Sequence, residues 1–190
     1  MHEMSLQTIP LIVVLILCVI TLITMIASLL VFVPFVPTPM PVVKRMVALA
    51  NLRGQETVYD LGCGDARILI EAKKQHPAIR AIGYELPIGV WLLAKARVAL
   101  SGVDITVRMR DFRVANLCDA DVIFLYLIPD VMPMLLRKLT KEARTGTTII
   151  SHGFELPGKE PVHDERVTLP SWNPLRPSGK SGPRVLVYKW

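Results

Sequence analysis

One run of residues constrains this chain more than any other. From Met4 through Val43 there is no Asp, Glu, Lys or Arg. Inside that run, residues 9–33 read IPLIVVLILCVITLITMIASLLVFV, with Thr21, Thr24 and Ser28 as the hydroxyl side chains. At ~1.5 Å per residue a helix of this length reaches roughly 37 Å, enough to cross a ~30 Å hydrocarbon layer with some tilt. A cleaved signal peptide needs a basic segment in front and a small-residue cleavage site. Here the leading residues are MHEMSLQT, with Glu3 and no Lys or Arg. The run is expected to be a retained transmembrane helix. Lys44 and Arg45 follow it and nothing basic precedes it. The positive-inside rule then puts the N-terminus outside and residues 44–190 in the cytoplasm. The lipid bilayer is the first expected partner.

Composition matters once this run is set aside. The 190 residues carry +6 overall, and residues 44–190 hold 22 basic against 15 acidic side chains. That remainder is long enough to bury its own core. Its charge could suit nucleic acid, but no basic run is interleaved with aromatics, and membrane headgroups explain it as well. No nucleic-acid partner is expected. Cys18, Cys63 and Cys118 form no CxxC pattern, so neither a disulfide framework nor a metal site is implied. His152 and His163 lack partners at metal-ligand spacing and read as bystanders.

Residues 34–41 read PFVPTPMP, four prolines in eight residues. Each fixes φ and removes a donor, so the helix must stop and a stiff connector follow. That connector reads as a rigid spacer or as a flap over a site. In the sequence after it, Val43, Met46, Val47 and Ala50 recur at helical spacing, a short amphipathic helix with Lys44 and Arg45 placed for anionic headgroups. The chain thus divides into a tail (1–8), a membrane helix (9–33), a connector with a short helix (34–56) and a domain (57–190).

From residue 57 strands and helices alternate. Strands are expected at 57–62, 78–86, 104–111, 121–127, 147–154 and 184–190, with a possible short one at 166–169. Helices are expected at 66–75, 87–100 and 129–143. This alternation implies a doubly wound, mostly parallel α/β sheet.

The informative stretch is V-Y-D-L-G-C-G-D-A-R, Val58 to Arg67. A strand ends at Asp60, and Gly62 and Gly64 turn the chain into a helix where open α/β sheets bind ligands. The second strand ends at Glu85, whose carboxylate suits ribose hydroxyls. The third ends at Asp111, placed to meet an adenine edge. The dinucleotide fingerprint GxGxxG fails, because Arg67 stands where the third glycine belongs. Asp60 before the turn would repel a pyrophosphate. It suits a ligand with a positive centre and an ammonium group, as S-adenosylmethionine has.

Together D-L-G-C-G-D-A-R, G-Y-E-L (83–86) and R-D-F (110–112) resemble the motifs of the class I, seven-strand S-adenosylmethionine-dependent methyltransferases. The apolar N-terminal helix, the P-F-V-P-T-P connector and the wording of the first two motifs are similar to the membrane-anchored protein-lysine methyltransferases of ATP synthase subunit c and the adenine nucleotide translocase. The resemblance implies a Rossmann-like seven-strand sheet with S-adenosylmethionine as cofactor. It places Gly62 and Gly64 against the methionine part, Asp60 near the amino group, Glu85 on the ribose, and Asp111 with the Phe112 backbone on the adenine. It favours a flap over a spacer for 34–41. The short, stiff connector keeps the site close to the bilayer, so lysine of an integral membrane protein is the expected substrate. Without a transit peptide, a prokaryotic plasma-membrane relative is expected. Tyr126, near the end of the fourth strand, is the candidate substrate-facing residue. The F-L-Y-L-I-P at that strand end is not the Asn/Asp-Pro-Pro-aromatic clamp of adenine or glutamine methylation. A lipid or quinone methyltransferase and a non-catalytic cofactor-binding module remain as alternatives.

Overall fold

The computed structural model describes residues 8–30, 35–170 and 182–190, with side chains from residue 10 to 25 in the first segment. The tail at 1–7 and the ends of the expected membrane span and connector, at 31–34, lie outside the described residues. So does 171–181, within the Pro/Gly/Ser-rich stretch.

The first helix, α1, runs Thr8–Leu30. Its described side chains are exposed apolar residues such as Leu11, Leu15 and Leu22, with Thr24 partly covered. Thr21 and Thr24 donate their hydroxyls to the carbonyls of Leu17 and Ile20, each at 2.8 Å, so both are satisfied within the helix. Among the described residues, no helix is long and apolar enough to cross a membrane; the expected span continues onto residues outside them.

Helix α2 (Met40–Ala50) starts inside the proline segment, with Pro41 in its first turn, where a missing N–H costs nothing. Asn51 ends it in the left-handed conformation. Its apolar stripe, Val42, Val43, Met46, Val47 and Ala50, is buried in the core. Lys44 and Arg45 take the outer face, and Arg45 pairs there with Glu165.

The sheet follows: β1 (Thr57–Leu61), α3 (Arg67–Gln75), β2 (Arg80–Glu85), α4 (Ile88–Ser101), β3 (Thr106–Met109), β4 (Val122–Leu125), α5 (Met132–Glu142), β5 (Thr148–His152), β6 (His163–Arg166) and β7 (Arg184–Lys189). The order is β3-β2-β1-β4-β5-β7-β6. The first five strands pair in parallel, whereas β7 runs antiparallel to both β5 and β6. The seven-strand, mostly parallel expectation therefore holds, with a mixed edge. The short strand expected at 166–169 lies earlier, at 163–166. It is an edge strand whose alternating half-buried and exposed residues, H-D-E-R, carry no apolar signal.

Successive residues along each strand face opposite sides. Val58, Ala81, Val122 and Phe124 join α2, α3 and α4 in one core. Tyr59, Ile82, Ile123 and Leu125 join α5 in the other. Strand order reverses between β1 and β4, and there the carboxyl ends open into a crevice.

Candidate active site

Gly62 and Gly64, following β1, take φ of +82° and +56°. These values let the chain bend sharply, so that the N–H groups of Gly62 and Cys63 both donate to the Tyr84 carbonyl at 2.9 Å. The Gly64 N–H donates to Glu85 Oε2 at 2.7 Å, and the Leu86 N–H to Glu85 Oε1 at 3.0 Å. Ala66, entering α3, also holds a positive φ of +62°. In a residue with a Cβ this costs about 1–2 kcal/mol, and such strain concentrates where function holds it in place.

A cavity of about 310 Å³ opens over this turn. All seven residues singled out in the sequence, Asp60, Gly62, Gly64, Glu85, Asp111, Phe112 and Tyr126, line it. Asp60 is 2 % exposed, and its Oδ2 has no hydrogen-bond partner among the described residues. Burial, then repulsion from Glu85 and Asp65, pushes its pKa well above the usual carboxylate range. Burial also raises Glu85, against the lowering pull of the Gly64 and Leu86 amides. Asp111 differs. It caps a short turn at residues 112–114, accepting from the Arg113 N–H at 2.8 Å and from Arg113 Nε at 2.6 Å. Burial would raise it, but Arg113 outweighs that and holds it low.

The connector is a wall of this cavity. Phe35, Val36, Pro37 and Thr38 all line it. The Phe35 ring lies over Gly64 so closely that a Cβ there would sit 2.7 Å from a ring carbon. The flap reading of this segment thus fits its position better than the spacer reading. What holds it was missed in the sequence. Arg67 Nη1 donates to the Thr38 carbonyl at 2.8 Å, while its Nε and Nη2 grip Asp65 at 2.8 and 2.6 Å. Arg97 from α4 also reaches Asp65, at 2.5 Å. Burial acts to raise Asp65, but the two guanidinium groups prevail and lower it. The D-A-R wording after the glycines was the visible signal: an arginine two residues after a buried aspartate at a helix start.

Across the switch point the cavity becomes apolar, with Tyr126, Leu127, Val131 and Met134. The Tyr126 ring meets His152 at 4.0 Å between centroids and lies nearly parallel to Phe154 at 6.4 Å. His152 is buried with Nδ1 unpartnered among the described residues, and burial lowers its pKa to about 4, leaving it neutral at ordinary pH. His163, the other expected bystander, bonds Glu165 at 2.9 Å on the far edge of the sheet.

The donor set fits S-adenosylmethionine. Buried Asp60, whose Oδ2 has no partner among the described residues, faces a cavity that also offers an apolar side, and two glycines remove the Cβ atoms that would block close approach. Both remaining lone-pair positions on Glu85 are open to hydroxyl donors, since its backbone partners use one position on each oxygen.

Comparison with known proteins agrees. The ANTKMT methyltransferase domain family matches residues 60–163, just over half of the chain. A protein-lysine N-methyltransferase of Saccharolobus islandicus is 38% identical over 127 residues, covering 66% of this chain and 79% of that protein. The mouse adenine nucleotide translocase lysine N-methyltransferase is 30% identical over 145 residues, 74% of this chain; the chain spans 56% of the mouse protein's length. Among solved structures, an RNA methyltransferase from Salinibacter ruber in complex with S-adenosyl-L-homocysteine superposes with a TM-score of 0.70. It is 31% identical and covers 81% of this chain and 93% of its own. With the acidic glycine turn, the seven-strand order and these relatives in agreement, the chain belongs to the ANTKMT methyltransferase domain family and is an S-adenosylmethionine-dependent methyltransferase.

Proposed function

We propose that this chain is a membrane-anchored lysine methyltransferase acting on an integral membrane protein, with residues 44–190 on the cytoplasmic side. The observation that carries this reading is the connector. The segment that leaves the apolar helix α1 is itself a wall of the cavity. Only five peptide steps separate Leu30 from Phe35, so the cavity mouth stays within ~18 Å of the end of α1. A small soluble acceptor gains nothing from that tether. A lysine near the cytoplasmic end of another membrane helix lies within its reach. The two named relatives that act on lysine, one of them on the adenine nucleotide translocase, support the same acceptor class.

In this reading Asp60 receives the cofactor's ammonium group, Gly62 and Gly64 admit its methionine part, Glu85 binds the ribose, and Asp111 with the Phe112 backbone binds the adenine. Bound there, the cofactor supplies a methyl group on a positively charged sulfur. With the cofactor held there, the acceptor lysine would attack through its nitrogen lone pair and would release its proton to solvent. The amine must be neutral, against a reference pKa of ~10.4. The acceptor side of the cavity helps through its composition. Tyr126, Leu127, Val131 and Met134 desolvate the amine and offer it no carboxylate, both of which favour the neutral form. Tyr126 is the substrate-facing residue.

The Salinibacter protein is described as an RNA methyltransferase, which makes RNA the competing acceptor. The test supplies methyl-labelled S-adenosylmethionine to isolated membranes and cell extract containing the full chain. Label in a membrane protein, recovered as methyl-lysine and absent without the chain, supports the proposal. Label in RNA, or in material extracted with lipid, refutes it.

A further inference from the structure

Outside α1, several exposed large apolar side chains lie on α4 and at the segment that leads into it. Leu86 follows β2, and Ile88, Leu92 and Leu93 lie on the first half of α4, at 44 %, 47 % and 45 % exposure. Val36 and Leu86 belong at once to this surface and to the cavity lining. The buried stripe of α4 is Val90, Ala94 and Val98, so Ile88 and Leu92 face outward by helical spacing. From Ile88 through Ala94 the helix carries no charge, and Lys95 and Arg97 follow.

This apolar surface continues directly into α1. Thr24 of α1 packs on Gly89 in the first turn of α4, so tightly that a Cβ on Gly89 would collide with the threonine side chain. Thr24 lies six residues before the end of α1, ~9 Å along the axis. If α1 enters a bilayer, it carries the first turns of α4 to that depth with it. Helices that lie in an interface bury their apolar face ~5–10 Å into the headgroup and acyl boundary. The uncharged half of α4 then meets acyl chains, while Lys95, one residue beyond it, lies at headgroup level.

We propose that the Leu86, Ile88, Leu92 and Leu93 surface is a second membrane contact, which seats the cavity mouth in the lipid interface. The occupant is the bilayer, because the surface is continuous with an apolar helix whose Thr21 and Thr24 hydroxyls are bonded within it. It rests on the anchored reading of α1, and it goes further: the acceptor enters from the lipid side rather than from the cytosol.

The test places a photoreactive p-benzoylphenylalanine in the full chain at Leu17, Leu93 or Leu100 and reconstitutes each variant in vesicles of phosphatidylcholine and phosphatidylglycerol carrying a labelled acyl chain. Leu100 is the control, fully outside the surface at 90 % exposure on the far end of the same helix. The expected result is lipid adduct at residues 17 and 93 and little at 100. Adduct at 17 with none at 93, or adduct at 93 to a second copy or another protein in place of lipid, overturns the second contact while leaving the anchor intact. No lipid adduct at 17 overturns the anchored reading, and this inference with it. As a separate readout, Leu93→Glu should keep cofactor affinity within about twofold and lose about fivefold or more of methyl transfer on membranes, by expelling the surface from the interface. Full activity of that variant on membranes would also overturn the proposal.

Discussion

Asp60 is a residue the free protein would be more stable without. Its carboxyl is buried, unpartnered at Oδ2, and raised well above its ordinary pKa by desolvation, Glu85 and Asp65. A raised carboxyl pKa in the fold means that folding holds an extra proton. The stability it contributes is present below the unfolded value and is lost as pH rises through the folded one. A cationic ammonium in the cavity reverses that penalty. Asp60→Asn should therefore raise the melting temperature of the free protein at neutral pH and weaken S-adenosylmethionine binding at least tenfold, ~1.4 kcal/mol. Thermal melts with and without cofactor read both. Glu85 has the same sign of shift. Cofactor binding to the native protein should thus strengthen with rising pH through the raised carboxylate range and release protons, which calorimetry in buffers of different ionisation enthalpy measures. Glu85→Ala removes a charged hydrogen-bond acceptor and should weaken binding by ~1–3 kcal/mol; unchanged affinity would refute the ribose assignment. At this scale the sequence was informative. The three carboxylates were legible because each lies at a strand end or within two residues of it, and local pattern marks strand ends. Arg67 was seen only as a missing glycine, because its partner Thr38 lies 29 residues away and nothing local shows that distance closing.

Among the elements, the connector and α2 show where sequence reading stops. Proline density fixes stiffness but not destination, so a spacer and a flap look alike until Arg67 is seen to hold the Thr38 carbonyl and Phe35 to cover Gly64. Arg67→Ala should release that hold. The expected outcome is faster proteolysis within residues 35–39 and weaker cofactor binding, with Arg67→Lys recovering part of each. Equal proteolysis in both proteins would show that the contact does not secure the segment. The α2 periodicity predicted an amphipathic helix but not the surface its apolar stripe covers; packed on α3, β5 and β7, it is core. Met46 is fully buried there. Met46→Ala should cost ~2–5 kcal/mol of stability, measured by denaturant titration. The parallel strands were legible for a different reason. β1, β2, β4 and β5 are short runs buried on both faces, unlike the edge strand β3, and the helices between parallel strands enforce right-handed crossovers. β6 was placed late because its H-D-E-R sequence carries charge where the eye seeks hydrophobicity.

For the whole molecule, the charge-free run and the basic residues after it predict one orientation. Protease added to sealed inside-out vesicles should digest the domain, and protease added to intact cells should spare it. The opposite pattern would separate the enzyme from cytosolic cofactor and end the membrane proposal as stated. The cavity mouth opens over the β1–β4 switch point, while β7 and β6 close the far end of the sheet, where Arg45 of α2 pairs with Glu165. Part of the basic charge of residues 44–190 is paired at the surface, as in Arg80–Asp119 and Arg184–Asp164.

The position of β7 also governs timing. In the sheet it lies between β5 and β6, but in the chain it follows both. β5, buried along its whole length, ends at His152, and β7 begins at Arg184. A ribosome adding ~5–20 residues per second needs ~2–6 s to make the intervening stretch. Throughout that interval β5 presents an apolar strand with its outer hydrogen bonds unmade, the kind of edge that pairs with other chains. β6 cannot cover it, because its own neighbour in the sheet is the same missing strand. The nascent protein is therefore most vulnerable just after its catalytic half has taken shape, and a chaperone that shields strand edges would matter in that window more than at any other stage of synthesis.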